Sequence, residues 1–160
     1  MDFTSTSKDA LLFDAARKGD SAYLSQLIAE GIDLNQQDAR GSTALILACY
    51  DDHFEAAQTL ITAKADVNLA DFGGNTALMG VSFKGHEAVA KLLIDNGADL
   101  NLQNGNGGTA LMFATLFGRN NLVKLLIESG ADPSIRDQRG LSALDLAHQQ
   151  GNTEAVSYFK

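Results

Sequence analysis

Apolar residues in this chain recur with the spacing of short helices that bury one face. Between Glu87 and Asn96, the residues Val89, Leu92 and Leu93 follow the i, i+3, i+4 pattern of such a helix. Gly97 comes next, where a glycine in the left-handed conformation commonly ends a helix. The pattern therefore predicts a helix over 87–96 that stops at this glycine.

A second, shorter apolar segment precedes this helix. Thr76 is suited to cap it, because a threonine hydroxyl accepts a hydrogen bond from the free amides of a first helical turn. The segment is predicted to be helical through Ser82, and Gly85-His86 then provides a turn. Residues 71–74, Asp-Phe-Gly-Gly, have the composition of a loop before the pair. The predicted unit is thus helix, turn, helix, loop.

The same unit recurs at a constant interval of thirty-three positions. Four hydroxyl residues, each followed by Ala-Leu, keep this period: Thr43, Thr76, Thr109 and Ser142. Helices this short are marginal alone, so each unit must bury its apolar face against its neighbours. We therefore predict one domain over 1–160, with the first and last units acting as caps. The predicted units span residues 7–37, 38–70, 71–103, 104–136 and 137–160.

The motifs within these units resemble those of the ankyrin-repeat family, and the resemblance covers nearly the whole chain. The third unit contains Gly74-Asn75-Thr76-Ala77-Leu78, Gly85-His86, Leu92-Leu93 and Gly97-Ala98-Asp99. The resemblance implies an all-α fold, a solenoid of stacked helix-turn-helix units with protruding loops. Alanine in place of the family proline, with isoleucine after the paired leucines, looks more like small stand-alone bacterial members of the family.

Composition and charge narrow the choice of partner. The formal net charge of −8 opposes binding to nucleic acid or to an anionic membrane surface. No stretch approaches the ~18 consecutive apolar residues that span a bilayer. Residues 1–9 are polar and show no signal peptide, which slightly favours the cytoplasm. A bacterial periplasmic location remains open if a signal peptide has been removed.

The residues that most often carry chemistry do not form a catalytic or metal-binding set. His53 and His86 lie one repeat apart at the family's turn position, where we expect each to bond backbone within its own repeat. Cys49 is expected to be a small buried packing residue without a base beside it. The glycine-rich stretch 105–108 falls in the loop register and lacks the lysine of a phosphate-binding loop. We predict a protein without enzymatic activity and without a cofactor.

The family resemblance places the binding surface on the concave face, which is formed by loop tips and the exposed side of each first helix. The candidate partner-binding residues by register are Arg17, Lys18, Arg40, Tyr50, Asp51, Phe72, Phe83, Lys84, Asn106, Leu116, Phe117 and Arg139. The five apolar residues are predicted to form one strip, and the five cations to surround it. This is the composition of a protein-binding hot spot. The alternative is that some of the aromatic residues pack between repeats as core.

The second repeat is the least regular. Asp52 stands where its neighbours have a turn glycine, and Lys64 stands where they have the glycine that ends the second helix. A lysine in the left-handed region costs roughly 1–2 kcal/mol. We therefore expect this repeat to be locally weaker.

The leading hypothesis is a monomeric module that binds another protein and thereby inhibits or protects it. The expected partner is an enzyme with an apolar, acid-rimmed surface, by analogy with small stand-alone family members. The alternative is a self-associating or passive scaffold protein that uses the same patch.

Overall fold

The computed structural model of the protein describes residues 7–160, and in that range the chain forms ten α-helices in five consecutive pairs. No extended strand occurs among these residues. The helices are α1 (Lys8–Lys18), α2 (Ser21–Ala29), α3 (Ala44–Tyr50), α4 (Phe54–Thr62), α5 (Ala77–Lys84), α6 (Glu87–Asp95), α7 (Ala110–Leu116), α8 (Asn120–Glu128), α9 (Ala143–Gln149) and α10 (Thr153–Tyr158). The predicted all-α solenoid of helix-turn-helix units is confirmed.

Hydroxyl caps start the first helices of the last four pairs. The side chains of Thr43, Thr76, Thr109 and Ser142 each accept a hydrogen bond from the backbone amide three residues ahead. The cap predicted at Thr76 is therefore confirmed. The end predicted at Ser82 is two residues early, because α5 continues until Gly85 adopts a φ of 87°. The two residues in between are compatible with a helix, so the helix stops only at that glycine.

The core is a row of side chains that repeats with the period of the sequence. Leu27, Leu60, Leu93 and Leu126 come from successive second helices, and each is at most 1% exposed. Full burial of a leucine contributes about 1.5–3 kcal/mol. Because these leucines belong to one core cluster that includes residues of all five pairs, the pairs are stabilised as a stack and not one by one.

The first helices, α1, α3, α5, α7 and α9, pack more extensively against one another than the second helices do. The side of the stack formed by the ends of the first helices and the loops beside them is the side that the family resemblance predicts to be concave. We call it the concave face.

The loops between pairs are held in a row beside the first helices. The Phe72 amide donates to the Arg40 carbonyl at 3.1 Å, and the Gln138 amide donates to the Asn106 carbonyl at 3.0 Å. Within each loop, an acid or amide side chain accepts from two backbone amides, as Asp137 Oδ1 does from Arg139 and Leu141. These bonds fix the loop tips, which is required of a pre-organised surface.

The second pair contains two non-glycine residues in the left-handed region, as predicted. Asp52 has a φ of 61° and Lys64 a φ of 76°, whereas Gly97 occupies the equivalent helix end of the third pair at 92°. The strain expected from Lys64 therefore has a structural basis. The division of the whole chain into five repeats with capping ends stays a prediction.

Candidate protein-binding surface

Three aromatic rings form a row across the concave face. Tyr50 ends α3, Phe83 lies one residue before the end of α5, and Phe117 caps α7. The Tyr50 and Phe83 rings are stacked, with centroids 6.3 Å apart and planes at 10°. The Phe83 and Phe117 rings meet edge to face at 4.4 Å and 72°. We call Tyr50, Phe83 and Phe117 the aromatic ladder.

The ladder is partly open to solvent. Tyr50 is 40% exposed and Phe117 is 43% exposed, and the neighbouring Leu116 is 41% exposed. Phe83 lies between the other two rings and is half-buried. None of the three rings is fully buried, although each is partly covered by its neighbours, so packing between repeats stays an alternative for part of each ring. Contiguous exposed apolar side chains of this kind are typical of interaction sites.

Phe72 occupies a different place, at the tip of the loop between α4 and α5. It is 71% exposed, and a Cβ atom at Gly41 would lie within 2.7 Å of its ring. Phe72 thus covers the glycine of the preceding loop. Within residues 7–160, the ring-to-ring contacts join only the three ladder residues. Continuity between Phe72 and the ladder stays a prediction.

Three of the five predicted rim cations form ion pairs with acids, which the sequence did not predict. Arg17 pairs with Asp38 at 3.3 Å, and Lys18 pairs with Asp14 at 2.9 Å. Arg139 pairs with Asp137 at 2.9 Å. These acids lie on neighbouring turns and loops, and sequence reasoning did not include them. The positive charge of the rim is therefore partly neutralised.

Two rim cations lack an acidic partner within 4 Å among the described residues, Arg40 and Lys84. Lys84 Nζ lies 5.0 Å from the centre of the Tyr50 ring, a cation–π arrangement. Asp51, another predicted contact, caps α3 beside the same ring and is exposed. The centre of the face therefore combines apolar rings with two cations and one acid.

A cleft of about 360 Å³ opens at the other end of this surface, between the fourth and fifth pairs. Three of the predicted residues, Asn106, Leu116 and Arg139, line it. Gln138, at the loop tip beside Arg139, lines it too, together with the apolar Met112, Phe113 and Leu146. The three apolar residues were not among the predicted contacts, which came from the loop tips and the exposed side of the first helices. Gly108 also lines the cleft, and a Cβ atom there would lie 3.3 Å from Asn104 Oδ1.

The histidines and the cysteine have structural roles. His53 Nε2 lies 2.8 Å from the Arg17 carbonyl, and His86 Nε2 lies 3.0 Å from the Tyr50 carbonyl. The expectation that each serves its own repeat was wrong: each bonds the first helix of the preceding pair. The reason is that the turn projects towards the neighbouring unit. Cys49 is fully buried, and burial raises the pKa of its thiol to about 12.

Residues 7–160 contain no group of three or more His, Cys, Asp or Glu side chains placed to hold a metal ion. None of the helices in this part of the chain has the length and apolar character needed to cross a membrane.

Comparison with known proteins agrees with the fold. A family model described as "Ankyrin repeats (3 copies)" matches residues 12–104 and 78–160. The chain is 45% identical over 51 residues to ankyrin repeat domain-containing protein 29 of Danio rerio, which covers 31% of this chain and 17% of that protein. It is 38% identical over 60 residues to mitochondrial disaggregase of Bos taurus, covering 38% of this chain and 9% of that protein. The chain thus matches less than a fifth of either relative.

Proposed function

Because the chain belongs to the ankyrin-repeat family, we propose that it binds one partner protein through its concave face. Ankyrin repeats are in general protein–protein interaction modules, and the family is typically non-catalytic. The observation that carries the proposal is the aromatic ladder, with two of its three rings about two-fifths exposed. Such rings are among the residues most enriched at the energetic centre of protein interfaces.

Covering the exposed part of these side chains would contribute favourably to binding. An aromatic side chain buries about 150–250 Å² when it is fully covered, so two-fifths exposure leaves roughly 80 Å². At about 25 cal/mol per Å², covering that area contributes about 2 kcal/mol per side chain. Tyr50, Phe117 and Leu116 together would supply several kcal/mol, and stacking against Phe83 reduces the entropy lost when they bind.

The charges beside the ladder indicate the chemistry of the partner. Lys84 and Arg40 are exposed and lack an acidic partner within 4 Å among residues 7–160. A partner with an apolar patch and acidic residues at its edge would satisfy both. We propose that such a partner is an enzyme and that the chain inhibits or protects it by covering this patch. The support for an enzyme is analogy within the family.

The arrangement of the repeats is part of the proposal. We propose that 1–160 form a single domain of five repeats in which the first and last shield the apolar ends of the stack. In the last pair, Ala155 of α10 is fully buried while Glu154 and Ser157 are exposed, as a cap requires. Covered ends disfavour end-to-end association of copies, which supports our proposal of a monomer.

Self-association through the same surface is the alternative from a different class. The ladder would serve two copies as well as it serves a foreign partner, although a net charge of −8 on each copy opposes their approach. Light scattering over a range of concentrations separates the two. A constant monomer mass excludes self-association. A mass that rises to a dimer for the wild type but not for a Tyr50→Ala, Phe83→Ala, Phe117→Ala variant supports self-association through the ladder.

Affinity capture from lysate of the source cells tests the proposed function. The wild type is compared with a Tyr50→Ala, Phe83→Ala, Phe117→Ala variant whose fold is checked by circular dichroism. Phe54→Ala is the matched control, because Phe54 is 39% exposed but starts α4, a second helix. A partner held by the wild type and the control and lost by the triple variant supports the concave site. Equal capture by all three places the interface elsewhere.

A further inference from the structure

The cleft between the fourth and fifth pairs differs in shape from the rest of the concave face. Its floor is apolar and comes from α7 and α9, where Met112 is 4% exposed and Leu146 is 3% exposed. Leu116, 41% exposed, forms one edge. Because the floor belongs to the packed core, the cleft is formed before anything binds, and no side chain must move to open it.

The opposite wall is polar and is presented by two loops. Arg139 donates from Nη2 and Nε to Asp137 Oδ2, at 2.9 and 3.2 Å. The Arg139 side chain is 63% exposed and that of Asp137 only 8%. The pair is neutral in total, but its cation faces the solvent and its anion is covered. A partner approaching the cleft therefore meets positive charge.

A second polar group on this wall can recognise a peptide backbone. The backbone amide of Asn106 is bonded inside its own loop, and its carbonyl accepts from Gln138. The exposed side-chain amide of Asn106 makes no hydrogen bond within residues 7–160. Its NH2 group is available as a donor and its carbonyl oxygen as an acceptor. An extended segment has free N–H and C=O groups to pair with it, whereas the same groups in the middle of a helix are already used.

We propose that this cleft receives one large apolar side chain from an extended segment of the partner protein, followed within two residues by an acid that pairs with Arg139. This inference rests on the proposed function and specifies the partner sequence that the concave face would select. A volume of about 360 Å³ lies near the lower end of the range for ligand-binding clefts, which suits a single side chain with its adjoining backbone. The aromatic ladder then covers a separate part of the same partner.

Selection from a phage-displayed library of random nine-residue peptides on the immobilised protein tests this assignment. We expect enriched peptides to share one large apolar residue with Asp or Glu one or two positions away. The enriched peptides should bind the Leu116→Gln variant at least about tenfold more weakly than the wild type. This substitution keeps helix propensity but removes the apolar edge of the cleft. Selection on Arg139→Gln should yield peptides without the acidic preference. Phe54→Ala, the exposed aromatic on a second helix, should bind as the wild type does.

The outcomes separate this inference from the proposed function. If Tyr50→Ala abolishes binding of the enriched peptides and Leu116→Gln does not, the cleft assignment is wrong. The proposed binding through the concave face is still supported in that case. Peptides that bind every variant equally contradict both. No enrichment above an uncoated surface overturns the cleft as a peptide site, and enrichment of basic peptides overturns the role of Arg139.

Discussion

The rings of Phe83 and Phe117 meet edge to face, with centroids 4.4 Å apart, although they belong to different helix pairs. The contact crosses the junction between two repeats, on the face where we place the partner. It therefore contributes to stacking of the repeats and also fixes the orientation of a surface ring. The three ladder rings thus contact one another in succession across three helix pairs.

A double-mutant cycle on this pair should show coupling. Phe83→Ala and Phe117→Ala each remove one ring, and the double variant should be less destabilised than the sum of the two, by about 0.5–1.5 kcal/mol. The free energy of unfolding from urea titration provides the measurement. Additivity within about 0.3 kcal/mol, the behaviour of independent sites, would show that the two rings are merely close and do not stabilise each other.

Lys64→Gly should stabilise the protein. Lys64 has a φ of 76°, and glycine has no Cβ to be strained in that region, so a gain of about 1 kcal/mol in the free energy of unfolding is expected. The reciprocal change, Gly97→Lys, should cost a similar amount, since a Cβ there meets no other atom within 4 Å and only the backbone is strained. An unchanged or lower melting temperature for Lys64→Gly would mean that the strain is absent.

Cys49 should react with a thiol reagent only when the second repeat opens. The thiol is fully buried, and burial raises its pKa to about 12, so at pH 8 it is both inaccessible and protonated. Labelling by a disulfide reagent should be immediate in denaturant and slow in buffer. If Lys64 weakens this repeat, Lys64→Gly should slow labelling about fivefold, the equivalent of about 1 kcal/mol. Labelling of the native protein at the rate of the denatured one would refute the buried placement.

His86 should stabilise the protein through its hydrogen bond to the first helix of the preceding pair. Its Nε2 lies 3.0 Å from the Tyr50 carbonyl, and His86→Ala should cost about 1 kcal/mol by leaving that acceptor without its partner. Arg119 holds the equivalent register and donates from Nε to the Phe83 carbonyl at 3.0 Å. His86→Arg should therefore lose less than His86→Ala in thermal unfolding. Equal losses would indicate that packing, and not the hydrogen bond, is what His86 provides.

The sequence predicted those features that depend on position within one repeat. Thr76 caps its helix, Gly97 ends one, and Lys64 adopts the left-handed conformation of the glycine that it replaces. Each follows from local backbone geometry, which a recurring period specifies directly. Exposure does not follow from register alone, because Phe83 holds the same position in its repeat as Tyr50 and is half-buried between two rings.

Features that depend on the distance between repeats could not be predicted. The ion pair of Arg17 with Asp38 and the bond of His53 to the Arg17 carbonyl both cross from one unit to the next. The constant period gives the register of these side chains but not their separation or rotamers. The cleft beside Leu116 was missed for the same reason, since its volume depends on how far a loop stands from two helices.

Hydrogen–deuterium exchange of the protein with and without its captured partner locates the interface without any substitution. We expect slower exchange at the ends of α3, α5 and α7 and in the adjoining loops, with α4, α6 and α8 unchanged. Protection confined to the second helices, with the ends of the first helices exchanging as in the free protein, would contradict binding through the concave face.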